Sequence, residues 1–154
     1  MDVLPERATA RILTSKVQQC LFSQVDDLLY GFTQFRSIVV KDDLAGMLVP
    51  SNLALIRIKN KAIDPFYLMW ILNEGSCSKD KIFPHIQGIG VVKLLKTTDL
   101  RELEIGMPPP IEKQNKIGNL YRLLLERKKI LKAISDKEDL VLLETIRNME
   151  GGNK

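Results

Sequence analysis

Residues 96–134 read KTTDLRELEIGMPPPIEKQNKIGNLYRLLLERKKILKAI, and the three prolines in the middle of this stretch divide the chain. Proline has no backbone N–H, so Pro108, Pro109 and Pro110 stop a helix or strand that arrives there. Pro110 also suits the first position of a new helix, where a backbone N–H has no helical partner in any case. The sequence therefore predicts a compact domain over residues 1–107 and a long helical arm that begins after the prolines.

Apolar residues recur along this arm on one face of a helix. The predicted contact face for a partner helix consists of Ile117, Leu120, Leu124, Leu131 and Ile134. These residues follow steps of seven, the repeat of a coiled coil, and only Arg127 breaks the stripe. A helix of about 35 residues is about 50 Å long, further than a domain of about 110 residues reaches, so part of the face needs a partner. We expect the arm to span residues 108–149, as one helix or as two that meet at Ser135, with a disordered tail at residues 150–154.

The composition is that of an ordinary soluble protein. Of the 154 residues, 45% are hydrophobic and 27% are charged, which suits one domain with a core and an appended helix. The longest mainly apolar run, residues 66–72, is too short to cross a bilayer, and the first residues lack the apolar core of a signal peptide. The sequence therefore predicts a cytoplasmic protein that does not enter a membrane.

Residue types that carry chemistry are sparse. The two cysteines, Cys20 and Cys77, and the single histidine, His85, form neither a zinc-ligand pattern nor a disulfide framework. The sequence contains no phosphate-binding loop and no spacing that pairs a nucleophile with a base. We therefore expect no cofactor and no catalytic activity, and a small hydrolase or transferase is the weakest alternative.

The net charge of +4 is spread unevenly. Residues 1–110 carry 13 Lys and Arg against 12 Asp and Glu, whereas residues 111–154 carry 10 against 7. This mild basicity is compatible with nucleic-acid binding but does not require it, because a phosphate-binding surface depends on local clusters.

Short strand patterns precede a helix signal in the domain. An acidic turn leads into a short apolar strand that ends at Gly31, and the strongest strand pattern lies within residues 46–61. Asp64 as N-cap and Pro65 at the first helical position then predict a buried helix over the apolar residues that follow. The fold class is α+β, with a small mixed sheet followed by a long C-terminal helical, coiled-coil arm.

A polar-aromatic loop follows the strand that ends at Gly31. Gln34 and Arg36 are the residue types that hydrogen-bond the edges of adenine and guanine, and Phe35 suits a thymine methyl group or stacking. Loops on a rigid sheet often carry recognition residues, so these three are the candidates for DNA base readout. The alternative is a surface hairpin with one buried phenylalanine.

A row of cations ends the strongest strand pattern. With a period of two, Arg57, Lys59 and Lys61 share one strand face at a spacing of about 6.5 Å, which suits phosphate contacts. Lys93 is a fourth candidate phosphate contact. The alternative is an edge strand on which lysines discourage aggregation.

Several ordered signals resemble the specificity subunits of type I restriction-modification systems. Residues 63–73 match the pattern I-D-P-x-Y-L-x-x-x-L-N, which in that family follows a strand of the recognition domain. The junction with the arm resembles the family's passage from a short helix through prolines into a long charged helix. Its matching residues are Leu100, Leu103, Ile105, Pro108, Pro109, Gln114 and Ile117.

This resemblance implies one target recognition domain with a spacer helix, that is, a half-length or truncated DNA specificity subunit whose N-terminal part is incomplete. Such a subunit is not catalytic. It binds double-stranded DNA and directs methyltransferase and restriction subunits, which bring S-adenosylmethionine and ATP. A chain with one domain and one helix is expected to pair with a copy of itself through residues 111–149. The alternative function is a homo-oligomeric interaction module that has no affinity for DNA.

Overall fold

The computed structural model describes residues 11–13, 21–59, 61–75, 97–101, 103 and 105–151. The chain divides into two compact units, residues 1–119 and residues 120–154. The first unit holds the sheet and the beginning of the long helix, and the second holds the remainder of that helix.

Four short strands form one sheet in the first unit. They are β1 (Arg11–Leu13), β2 (Leu28–Gly31), β3 (Arg36–Val39) and β4 (Leu53–Arg57). Their order across the sheet is β1-β4-β2-β3, and each described pairing is antiparallel, whereas the sequence predicted a mixed sheet. The difference arises because β2 and β3 form a hairpin and β4 returns beside β2.

The register places one face of this sheet in the core. Leu28 lies opposite Ile56 on β4, and Tyr30 lies opposite Ala54 on β4 and Ser37 on β3. Cross-strand partners project to the same face, and all five of these residues are buried. Burial raises the pKa of the Tyr30 hydroxyl to about 12.

β4 is shorter than the strand pattern over residues 46–61 suggests, and it lies between two other strands of the sheet. It ends at Arg57, so Lys59 and Lys61 do not continue a strand face and the predicted three-cation ladder is not formed. Among the described residues, β1 pairs with β4 as far as Arg57 and β2 pairs with β4 as far as Ile56. The alternative of an edge strand protected by lysines is wrong, since β4 pairs on both sides.

The first helix, α1 (Pro65–Asn73), forms as predicted. Its N-cap is Asp64, whose carboxylate accepts a hydrogen bond from the Tyr67 N–H at 2.7 Å, and Pro65 occupies the first position. Five of its nine residues are buried, and the helix packs alongside β3.

Two further α-helices follow α1, and a single 3-10 turn at Asp42–Leu44 lies between β3 and β4. A short helix, α2 (Thr97–Arg101), buries Leu100, and α3 (Ile111–Gly151) begins directly after the prolines. The long C-terminal helix and the α+β class are therefore confirmed, and α3 is one continuous helix of 41 residues through Ser135. Among the described residues, no helix is long and apolar enough to span a membrane.

Candidate nucleic-acid interface

The hairpin loop between β2 and β3 carries the residues that the sequence predicts for base readout. Phe35 adopts a left-handed φ of 52°, and its N–H donates to the Gly31 carbonyl oxygen at 2.9 Å. The Thr33 hydroxyl donates to Oε1 of Gln34 at 2.8 Å. A Cβ at Gly31 would collide with the same Oε1 atom, so glycine allows the Gln34 amide to fold back over the end of β2. The loop is thus a closed turn with an ordered polar tip.

Gln34 and Arg36 are both exposed, as recognition residues must be. Nη2 of Arg36 lies 3.5 Å from Oε1 of Glu74, and the two side chains are 56% and 38% exposed. An ion pair with this exposure contributes at most about 1 kcal/mol, so an anionic or base-edge ligand can displace it. Phe35 is half-buried, which leaves only part of its ring available for contact.

Arg57 is held by an ion pair within the protein. Its Nε and Nη2 donate to the two carboxylate oxygens of Asp27 at 2.9 and 2.7 Å, and Nη2 also donates to the Phe22 carbonyl oxygen at 3.1 Å. Asp27 is 3% exposed and also accepts a hydrogen bond from the Gln24 N–H. The hydrogen bonds to Asp27 raise the pKa of the Arg57 guanidinium. Two of the three guanidinium nitrogens are therefore directed at the turn before β2.

The structure places the two predicted sets of DNA contacts at opposite ends of the sheet. Arg36 pairs with Gly31, which pairs with Leu53 at the start of β4, and Arg57 ends that strand. Four residues of strand rise separate the two ends by about 13 Å. Lys59 follows Arg57 and is exposed. The hairpin tip and the basic segment are therefore separate features.

The remaining predicted phosphate contacts differ in what the structure describes. Lys61 is exposed in a turn that precedes α1. Lys93 lies outside the described residues, as do Cys20, Cys77 and His85.

Asn73, at the end of α1, binds the outer edge of β3. Its Oδ1 accepts hydrogen bonds from the N–H and the hydroxyl of Ser37 at 2.7 and 3.0 Å, and its Nδ2 donates to the Ser37 carbonyl oxygen at 3.0 Å. Ser37 is 2% exposed, so these backbone groups need protein partners. The Asn73 amide thereby takes the place of a further strand and fixes β3, which begins at Arg36. Sequence reasoning missed this contact, because asparagine at a helix end is typical of a C-terminus in general.

Gln114 joins the start of α3 to the segment before α1. It is 1% exposed, and its Nε2 donates to the carbonyl oxygens of Ala62 and Pro109 at 2.9 and 2.8 Å. Its Oε1 accepts a hydrogen bond from the Asp64 N–H at 3.1 Å. In the sequence Gln114 stands out only through the family resemblance, whereas in the structure its side chain satisfies three backbone groups, those of Ala62, Asp64 and Pro109.

The same junction contains a close approach at Gly118. A Cβ there would collide with the Asp64 carboxylate and would lie 2.9 Å from the Tyr67 nitrogen and 3.0 Å from the Phe66 Cβ. Ile117 packs beside it against a cluster of Tyr67 and Ile71. Leu103 and Ile105 join the same cluster. The first turns of α3 are therefore part of the domain's packing, and Ile117 is half-buried there.

The other four residues of the predicted partner face belong to the second unit and remain exposed. Their exposed fractions are 69% for Leu120, 41% for Leu124, 48% for Leu131 and 48% for Ile134. Exposed apolar side chains that recur on one helix face indicate a surface for a partner.

Comparison with known proteins finds similarity among solved structures. No family model matches the chain, and no curated protein does. Among solved structures, the HsdS subunit from Thermoanaerobacter tengcongensis has a similar fold, with a TM-score of 0.53 and 19% sequence identity. The similarity covers 79% of this chain and 32% of that chain. The likeness therefore shows that this chain shares its fold with part of an HsdS subunit. The chain spans about a third of that subunit's length, 32%.

Proposed function

We propose that this chain is a DNA-binding specificity component of a type I restriction-modification system and has no catalytic activity of its own. The observation that carries the proposal is the shared fold, because HsdS denotes the specificity subunit of such systems. The similarity extends over 79% of the chain.

We assign DNA base readout to Gln34, Phe35 and Arg36 at the hairpin tip. Support comes from the ordered turn and from the exposure of Gln34 and Arg36. Because a turn closed by a backbone hydrogen bond loses little backbone freedom on binding, such a tip suits sequence recognition.

We assign phosphate contacts to Lys59, Lys61 and Lys93. The first two are exposed and follow β4. Arg57, which the sequence places with them, is assigned a supporting part: its ion pair with Asp27 fixes the strand end from which Lys59 extends.

The arm is proposed to bind other subunits. Leu120, Leu124, Leu131 and Ile134 would pair with a second copy of the chain, and the assembled complex would bind cytoplasmic methyltransferase and restriction subunits. These subunits would bring S-adenosylmethionine and ATP. The exposure of the apolar stripe on α3 supports a helical partner.

Duplex DNA binding measured by fluorescence anisotropy at several salt concentrations tests the function. Affinity should fall steeply with salt, because bound lysines release counterions from the phosphates. The double variant Lys59→Ala/Lys61→Ala should weaken binding to every sequence alike and reduce the slope of log K against log salt by up to about 2. Lys41→Ala, which removes an exposed cation from the loop beside two aspartates, is the matched control and should leave the slope unchanged.

The same assay separates base readout from phosphate contact. Arg36→Ala should relax preference at one base pair, at a cost of about 1 to 3 kcal/mol on the preferred sequence and little on others. Equal loss on all sequences would assign Arg36 to a phosphate. Absence of binding at every salt concentration would contradict the proposed function and would favour an interaction module.

A further inference from the structure

The second unit presents a regular seam of side chains along α3. Counting from residue 120, steps of four and three residues alternate without a break, which is the spacing of the core positions of a coiled coil. The seam consists of Leu120, Leu124, Arg127, Leu131, Ile134, Glu138, Val141 and Thr145. All eight residues are exposed in the single chain. The seam therefore has six uncharged members and two charged ones.

Arg127 has no counter-charge at the positions three and four residues away on its own helix. The four residues that neighbour it on the helix surface, three and four positions away, are Leu123, Leu124, Ile130 and Leu131. Such a cation lies in the middle of an apolar face and forms no ion pair with any described residue. A partner that covers this face must supply an anion there, because an unpaired buried charge is strongly unfavourable.

Glu138 is an anion that likewise has no counter-charge at the positions three and four residues away. Its neighbours at three and four positions are Ile134, Ser135, Val141 and Leu142, none of which is a cation. Within the described part of the chain it also forms no ion pair. The partner must therefore supply a cation at this position.

A second copy of the helix in antiparallel orientation supplies both charges at once. With the two-fold axis between Lys132 and Ala133, Arg127 of each copy lies in one layer with Glu138 of the other. The remaining layers pair Leu120 with Thr145, Leu124 with Val141, and Leu131 with Ile134. The core positions are of two kinds, those followed by a step of four residues and those followed by a step of three. Each layer then joins one position of each kind, as antiparallel coiled coils require. The seam is thus complementary to its own reverse.

Other arrangements leave the charges without partners. In a parallel pair in register, Arg127 would face Arg127 and Glu138 would face Glu138. No stagger of a parallel pair joins the two, because their separation of 11 residues is not a multiple of seven. An antiparallel pair shifted by one heptad places Arg127 against Leu131 or Thr145, without a counter-charge.

We infer that reciprocal Arg127–Glu138 contacts between two copies set the orientation and the register of an antiparallel dimer of α3. The inference rests on the homodimer in the proposed function and names the residues that specify it. The pair selects one arrangement among several that the apolar residues alone would permit, as polar core residues do in coiled coils.

Charge exchange on the full chain tests this inference by sedimentation. Arg127→Glu and Glu138→Arg each place two like-charge layers in the dimer, so each should raise the dimer Kd by roughly 100-fold or more. The double variant Arg127→Glu/Glu138→Arg restores both opposite-charge layers and should return the Kd to within about tenfold of the original. Lys129→Glu and Asp136→Arg are the matched controls, because they make the same charge changes on the opposite side of the helix and should leave the Kd unchanged.

A distance measurement tests the orientation separately. In a background with Cys20→Ser and Cys77→Ser, a spin label attached after Glu150→Cys lies 17.5 residues from the proposed axis. The helix rise then places two labels about 50 Å apart in the antiparallel dimer, against about 20 Å or less in a parallel one.

Each outcome distinguishes the inference from the proposed function. Unchanged Kd values for both single variants, or a short label distance, would overturn the antiparallel register whether or not DNA binds. A monomer at micromolar concentration that still binds DNA with a steep salt dependence would overturn the inference and leave the DNA function standing. A dimer whose Kd values follow the charge pattern but which binds no DNA would support the inference and contradict the proposed DNA function.

Discussion

Replacement of Gln114 by alanine should show how strongly the start of α3 is attached to the domain. The variant removes a side chain that is 1% exposed and donates to the carbonyl oxygens of Ala62 and Pro109 while accepting from the Asp64 N–H. Each of the three hydrogen bonds contributes about 1 kcal/mol net, and the buried methylene groups add to the loss. We expect the free energy of unfolding to fall by about 2 to 4 kcal/mol, a large share of the total for a domain of this size.

Urea unfolding followed by tryptophan fluorescence measures this loss in the first unit, residues 1–119. Trp70 is the only tryptophan, and it packs against the Tyr67 and Ile71 cluster in the domain. Asn115→Ala is the matched control, since Asn115 is the exposed next residue on the same helix and should change stability by at most about 0.5 kcal/mol. A loss below about 1 kcal/mol for Gln114→Ala would refute the reasoning and would mean that water replaces the amide.

The isosteric variant Gln114→Glu adds a dependence on pH. An ionised carboxylate would face the two carbonyl oxygens that now accept from Nε2, so the pKa of the introduced carboxyl should be raised in the folded state. A raised folded-state pKa means that stability is full below the unfolded-state pKa and is lost as pH rises through the folded-state value. The deficit relative to the original protein should therefore be larger at neutral pH than at mildly acidic pH. An equal deficit at both would show that the two carbonyl oxygens are not close to the side chain.

Two further variants probe neighbouring contacts by the same unfolding assay. Gly118→Ala should destabilise the domain by about 1 kcal/mol or more although alanine favours helix, because the added Cβ collides with Asp64; a gain in stability would contradict that close approach. Asn73→Ala should lower the free energy of unfolding by about 1 to 3 kcal/mol, because it leaves the buried backbone groups of Ser37 without partners. Asn73→Asp keeps only the acceptor, so its stability should lie between that of the original protein and that of Asn73→Ala. Unchanged stability of both Asn73 variants would show that the outer edge of β3 is hydrated.

Local signals in the sequence were sufficient for the helices. Asp64 and Pro65 define the start of α1 through capping and a fixed φ, and both effects act within one turn. The prolines likewise fix where α3 begins. Whether α3 breaks at Ser135 could not be decided from the capping pattern alone, because a capping box within a helix competes with continuation of the helix.

Side-chain partners far apart in sequence could not be predicted in this way. Arg57 alternates correctly with its strand neighbours, but the carboxylate that binds it is Asp27, which is 30 residues away in the sequence. The strand order that brings these residues together depends on how β4 inserts between β1 and β2. A periodic pattern assigns a residue to a face and does not determine what occupies that face.

The residues that carry the family resemblance have a structural role in this chain. Leu103, Ile105 and Ile117 pack around Tyr67 and Ile71, and Gln114 binds the backbone beneath them. These residues specify how the domain joins its helix, so a resemblance that rests on them is a statement about architecture. None of the described contacts of that junction involves the hairpin tip of Gln34, Phe35 and Arg36. The proposed DNA specificity must therefore be tested at the hairpin tip itself, because the contacts of the junction do not depend on the residues at that tip.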